Sequence, residues 1–298
     1  MVAYARYLRG LKSCDLVHVH MASRGSYLRK KVFIAAAASH NKPVLLHLHG
    51  SEFAMWYDEE CTEGQRRDIC QTFRLCSRIV VLSEEWRDFL INRRICDIEQ
   101  VKVLHNAVNI PGENVTDYTS NTVLFMGRLD ERKSPNVLLR AAARTLPAHP
   151  DARFVFGGDG DVRAYEKLAD ELGICDKCRF IGWAAGEKKD EAFQNCSIFC
   201  LPSKNEGMPM SVLEAMSYGL ATIATPVGGV PQIINDGVDG FLFPVDDVTA
   251  LTEKLDVLMS DNALKERIGK CGRACIEKSF SLDAYMDQID TLYEIIRK

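Results

Sequence analysis

Short runs rich in β-branched and aromatic residues alternate along this chain with longer stretches of helical spacing, and that alternation restricts its possible folds more than any other feature. The runs fall at residues 16–20, 44–48, 79–82 and 101–104, and again at 123–126, 153–156, 179–181, 198–201, 221–224 and 240–243. Strands separated by helices cannot be joined by hairpins, so the pattern predicts parallel sheets with crossover helices. Residues 109–121 separate the two series. They are rich in Pro, Gly, Asn, Asp and Thr, lack an apolar period and read as a linker. The expected fold is α/β, with two doubly wound, Rossmann-like domains whose strand ends face a common cleft, where open α/β sheets bind ligands. The expected boundaries are 1–110 for the first domain, 111–121 for the linker, 122–280 for the second domain and 281–298 for a helix returning toward the first.

The first domain is expected to be partial. Few runs precede the linker, and the chain opens on a helical stretch, residues 2–11, rather than on the apolar strand that usually starts such a sheet. No apolar run approaches the roughly 20 residues of a membrane helix, and the start lacks the apolar core and cleavage site of a signal peptide. A cytoplasmic protein is expected. The net charge of -4 leaves no electrostatic footprint for nucleic acid. Eleven cysteines, an odd number at irregular spacings, fit reduced thiols used as small apolar residues. Cys175 and Cys178 form a C-x-x-C pair, but a zinc site would need two more ligands, and the candidates Cys196 and Cys200 lie just before and within a strand.

Chemistry concentrates in the second series. After the run at 198–201 comes Pro202-Ser203-Lys204-Asn205-Glu206-Gly207-Met208-Pro209, then a helix whose apolar stripe is Val212, Leu213 and Met216. Pro209 suits a first helical position, since its missing N–H costs nothing there. Glu206 is then in a loop and Glu214 in the second turn of the helix, so the two carboxylates can grip two hydroxylated parts of one ligand while N–H groups at the helix start attract anionic oxygens. Their alternative use is as a dipole partner and a solvated helix residue.

Gly127-Arg128-Leu129-Asp130-Glu131-Arg132-Lys133-Ser134-Pro135 follows another strand and precedes a helix, with Ser134 as the expected cap and Pro135 inside, an arrangement that favours anions. Two fixed cations there can stabilise a leaving diphosphate, each opposite charge at about 4 Å being worth roughly 4 kcal/mol at an effective dielectric of 20. Gly157-Gly158-Asp159-Gly160-Asp161 fails as a dinucleotide fingerprint because position 163 is arginine. Asp159 and Asp161 formally spell a D-x-D cation site, which the neighbouring cations disfavour. In the first series, His18 and His20 alternate on one strand and His47 and His49 on the next, each pair facing one way. His20 and His49 are expected at the strand ends, His18 and His47 deeper as core histidines with satisfied ring nitrogens; a metal site is the alternative.

The E-x7-E segment at Glu206 and Glu214 resembles that of the retaining glycosyltransferases of family 4, which have the GT-B fold. The G-R-L-x-x-x-K arrangement at Arg128 and Lys133 matches the same family, as do Leu46-His47-Leu48-His49-Gly50-Ser51-Glu52 and Thr225-Pro226-Val227-Gly228-Gly229-Val230-Pro231, followed by Asp236-Gly237-Val238-Asp239-Gly240-Phe241. Gln232 stands where glutamate is common. The resemblance covers roughly residues 14–295. It implies that Glu206, with Gly207, Met208 and Pro209, contacts the donor sugar, that Glu214 contacts the ribose, and that Arg128 and Lys133 hold the diphosphate. Gly158 and Trp183 lie near the nucleotide in this reading. His49 faces the reacting sugar, and His20, Arg24 and Glu52 line the acceptor side. Family members also begin with a strand and a Gly-rich loop that nothing here matches. The implied activity is transfer of a hexose from a nucleotide-diphosphate sugar, as co-substrate and without a metal cofactor, to a saccharide or lipid-linked saccharide in surface polysaccharide biosynthesis. The basic stretch Arg24, Arg29, Lys30 and Lys31 suggests peripheral contact with the cytoplasmic membrane face or an acceptor pyrophosphate, with an ordinary solvated basic face as the alternative. A truncated, non-catalytic homologue that binds nucleotide sugar or a partner is the alternative. A glycosidase using Glu206 and Glu214 leaves the cationic pair unexplained.

Overall fold

The computed structural model describes residues 2–112 and 116–297, Val2 by its backbone alone. The chain forms two compact units, one running to Asn106 and taking in the residues from Asp283 onward, the other Ala107–Leu282. Of the expected linker, residues 113–115 lie outside the described residues. Thr116 Oγ1 donates to the Tyr218 carbonyl at 2.8 Å and Tyr118 Oη to that of Gly219 at 2.9 Å, which fastens both to the second unit.

The first unit carries a parallel sheet of β1 (Val17–Met21), β2 (Val44–Leu48), β3 (Arg78–Val81) and β4 (Val101–Val103), in the order β1-β2-β3-β4. Each crossover steps the same way, so right-handed connections put the crossover helices on one face. That face is a core in which Val19, Met21, Leu46, Leu48, Ile79 and Val81 are buried. The opposite face presents Leu45, Val80 and Leu104, and the helix Leu282–Arg297 covers it with Ile289, Leu292 and Ile296. Cover on both faces explains why β2 is buried at every position and shows no alternation in its sequence. The strand order of this unit never reverses, so among the described residues it winds in one direction only.

The second unit does reverse. Its parallel sheet contains β5 (Thr122–Met126), β6 (Arg153–Gly157), β7 (Cys178–Gly182), β8 (Ile198–Leu201), β9 (Ala221–Ala224) and β10 (Phe241–Leu242), ordered β10-β9-β8-β5-β6-β7. The chain leaves β5 toward β6 and β7, then returns to β8 on the other side. That creates a topological switch point between β5 and β8, whose outgoing loops diverge and leave room for a ligand.

Candidate functional site

Both strongly patterned loops of the second unit leave the sheet at this switch point. Gly127–Ser134 follows β5 and Pro202–Pro209 follows β8. Their backbones are tied together: the Lys204 N–H donates to the Arg132 carbonyl at 2.8 Å, and the Arg132 guanidinium donates to the Asn205 carbonyl at 3.1 Å. Lys133 Nζ donates to Glu206 Oε1 at 2.5 Å, and Arg132 lies 3.7 Å from Glu206 Oε2. Glu206 is only 6% exposed, so this carboxylate is compensated almost wholly by the other loop. Arg128 differs. Its side chain is 62% exposed and lies 3.7 Å from Asp130, away from the buried pair.

Glu214 sits in the second turn of the helix Met210–Ser217, and Lys189 Nζ donates to its Oε1 at 2.8 Å. Pro209 precedes that helix by one residue instead of opening it. Ser134 does precede the helix Pro135–Thr145, but it makes no side-chain cap: it holds a left-handed φ of 50° and its hydroxyl donates to the Glu131 carbonyl. Asp130 folds this turn instead, accepting from the Lys133 N–H at 2.9 Å.

Glycines allow the loops to touch. A Cβ on Gly228 would meet the Glu206 carbonyl oxygen at 2.0 Å, and the Gly229 N–H donates to the Gly207 carbonyl at 2.6 Å. The loop after β9 therefore props the segment Glu206-Gly207-Met208 from behind. Gly158, with φ 144°, likewise lies against the Gly127 carbonyl, where a Cβ would approach to 1.8 Å. It braces the Arg128 loop, and the Leu129 N–H donates to the Asp159 carbonyl at 2.7 Å. Asp161 caps the helix Val162–Glu171 by accepting from the Ala164 N–H, a structural use for one half of the D-x-D pair. Trp183, just beyond β7, is 70% exposed.

In the first unit His20 and His49 lie exposed at the ends of β1 and β2, with His20 Nδ1 2.7 Å from His49 Nε2. His18 Nδ1 is 2.8 Å from the Tyr293 hydroxyl, but His18 Nε2 and both ring nitrogens of the buried His47 have no hydrogen-bond partner. The expectation of satisfied core histidines fails here because neighbouring positions on that face are also imidazoles, stacked with centroids 4.0 Å apart for His47 and His49. Arg24 is bound by Glu52 and Glu60, and Lys31 by Asp68, so half of the basic stretch is already paired. Among the described residues no cysteine falls in a group of potential metal ligands.

Sequence patterns alone missed Arg132 and Lys189, the cations that join Lys133 at the two glutamates. Arg132 stands inside a motif already singled out. Lys189 carries no local signal, because its pairing depends on how the helix Glu187–Gln194 packs beside Met210–Ser217.

A family profile described as "Glycosyl transferases group 1" matches residues 109–274, and one described as "Glycosyltransferase Family 4" matches residues 1–110. An uncharacterised glycosyltransferase of Methanocaldococcus jannaschii is 23% identical over 96% of this chain and 76% of its own. The D-inositol 3-phosphate glycosyltransferase of Streptomyces avermitilis is 30% identical over 86% of this chain, which spans 60% of that relative's length. Anabaena HepE in complex with UDP matches with a TM-score of 0.81 at 18% identity, over 97% of this chain and 81% of its own. Sucrose-phosphate synthase of Thermosynechococcus elongatus matches with a TM-score of 0.80 at 20% identity, over 98% and 77%. With a glycosyltransferase profile on each unit and solved GT-B structures matching both, the protein belongs to the GT-B glycosyltransferases of group 1 and family 4.

Proposed function

We propose that the chain transfers a hexose from a nucleotide-diphosphate sugar to a saccharide or lipid-linked saccharide hydroxyl, with retained anomeric configuration, in surface polysaccharide biosynthesis. The observation that carries this reading is the buried Lys133–Glu206 pair at the switch point, where a carboxylate for sugar hydroxyls and a cation for phosphate oxygens meet. HepE has been solved with UDP and with UDP-glucose, which favours a uridine donor. Glu206 accepts from donor hydroxyls and Glu214 from the ribose, each sharing its carboxylate with a lysine. Lys133 and Arg128 hold the diphosphate, the latter by swinging in from solvent. His49 hydrogen-bonds the donor sugar or orients the acceptor, with His20, Arg24 and Glu52 on the acceptor side.

The acceptor oxygen bonds to the anomeric carbon on the face from which the diphosphate departs, and its proton passes to the departing phosphate oxygen. The fixed cations stabilise the charge that develops on the leaving group, so no divalent ion is needed at the diphosphate. The protein works in the cytoplasm, with any membrane contact peripheral.

The test is a screen of nucleotide sugars for binding, followed by mass spectrometry of transfer or hydrolysis. Turnover of one donor with release of nucleoside diphosphate is expected, and chelator should leave donor affinity unchanged. Binding without turnover would mark a non-catalytic homologue; affinity restored only by magnesium or manganese would move the diphosphate role to Asp159 and Asp161.

A further inference from the structure

The four histidines at the ends of β1 and β2 form one continuous stack on the sheet face away from the crossover helices. The parallel register sets His20 opposite His47. Ring centroids are 4.3 Å apart for His18 and His20, 5.6 Å for His18 and His47, and 5.2 Å for His20 and His47. We propose that His18, His20 and His47 bind one divalent transition-metal ion of the zinc class, with Tyr293 and His49 orienting the ligands from behind.

Unpaired nitrogens are the first argument. His47 is 1% exposed, yet neither of its ring nitrogens has a partner, and His18 Nε2 is in the same position. A buried polar atom left without a hydrogen bond is costly, so these atoms need a ligand to justify their place. Geometry is the second. One nitrogen from each of the three rings lies within 4.8 Å of the others. Nitrogens on a tetrahedral zinc ion, each about 2.0–2.1 Å from the metal, sit about 3.4 Å apart, so the set closes by no more than about 1.4 Å as the rings turn edge-on to a common point.

Tautomers supply the third argument. A metal-bound histidine commonly engages its second nitrogen with an outer partner that fixes the ring. His18 does this through Nδ1 and Tyr293, and His20 through Nδ1 and His49, so both offer Nε2 to the ion. Three neutral nitrogens without a carboxylate favour zinc, nickel or copper over magnesium or calcium. Coordination through His20 Nε2 also makes His20 Nδ1 a donor to His49 Nε2, which fixes the His49 tautomer. The inference shares His20 and His49 with the transferase reading, but its test reads metal binding alone, so either can fail without the other.

Cobalt(II) is the suitable probe, because eleven cysteines could bind zinc elsewhere and a thiolate ligand would announce itself by a near-ultraviolet charge-transfer band. Metal-free, reduced protein titrated with cobalt should bind one equivalent, with visible ligand-field bands and no thiolate band, and zinc should displace it. His18→Gln and His47→Gln should each abolish the bands, whereas His149→Ala should not. Tyr293→Phe keeps the packing and should weaken zinc binding about 10- to 100-fold. Should the buried variants fail to fold, histidine ring nitrogen resonances of the parent protein decide: stoichiometric zinc must shift those of His18, His20 and His47. Absent ligand-field bands, bands that survive both substitutions, or unmoved ring resonances would overturn the proposal.

Discussion

Glu206 depends on residues from a different strand for its compensation, and this makes its neighbourhood unusually sensitive to single substitutions. Lys133 bonds it directly, whereas Arg132 stands 3.7 Å away and also serves the Asn205 carbonyl. Arg128→Ala removes an exposed side chain and should leave thermal stability unchanged while lowering kcat about 30- to 1,000-fold, or roughly 2 to 4 kcal/mol, the scale of one preorganised electrostatic contact. Lys133→Ala should lose similar activity and also lower Tm, because it strips a buried carboxylate of its main partner. The double variant Lys133→Ala with Glu206→Gln should recover Tm without recovering activity. Steady-state turnover beside calorimetry separates the two effects; parent-like turnover in Arg128→Ala would remove that residue from the proposed diphosphate site. The glutamates and their cationic loop were legible in the sequence because a strand, a loop and a helix start follow one another within each segment. The lysine on Glu214 was not legible, since Lys189 reaches it from a separate helix.

At the scale of elements, the loops after β8 and β9 behave as one piece because Gly228 and Gly229 permit backbone contact. Gly228 has φ 57°, and its added Cβ would lie 2.0 Å from a carbonyl oxygen that no side-chain rotation can move. Gly228→Ala should therefore displace Glu206 and Gly207, lowering Tm by several degrees and weakening nucleotide binding at least tenfold. Gly173 is the control. It also has positive φ, 70°, but faces open space, so Gly173→Ala should cost only the backbone penalty of about 1 to 2 kcal/mol and leave nucleotide affinity unaltered. Equal affinities in the two variants would show that the Gly228 contact does not shape the site. The strands themselves were readable from β-branched runs, and β2, β8 and β9 were found despite lacking alternation because continuous apolar runs between turns mark strands buried on both faces. Ser134 shows where local reading stops: its position suited a cap, but a left-handed backbone turns its hydroxyl toward Glu131 instead.

Across the whole molecule, both units use thiols as packing groups, and this sets an alkaline limit to stability. Cys76 and Cys96 are buried in the first unit, Cys196 and Cys200 in the second. Desolvation pushes the first three up to about 12 and raises Cys200 as well, whereas an unfolded thiol titrates near 8.5. A group whose folded value is raised contributes stability that is complete below its unfolded value and is lost as pH rises toward the folded one. The unfolded chain therefore gives up protons that the folded chain retains from about pH 8.5 upward. By pH 10 this amounts to at most roughly 2 kcal/mol per thiol. Lys265 acts in the opposite sense: burial lowers it to about 8, so between that pH and its ordinary value near 10.4 folding releases a proton and gains stability. One lysine is opposed by several thiols, and the balance is destabilising. Denaturant unfolding in the presence of reductant should show a midpoint that falls steadily between pH 8 and pH 10.5. Cys200→Ala should lower the midpoint at neutral pH, through the cavity it leaves, but flatten its decline. A midpoint independent of pH over that range, or an undiminished slope in Cys200→Ala, would mean that the thiols ionise in place and that the interior around β8 admits water.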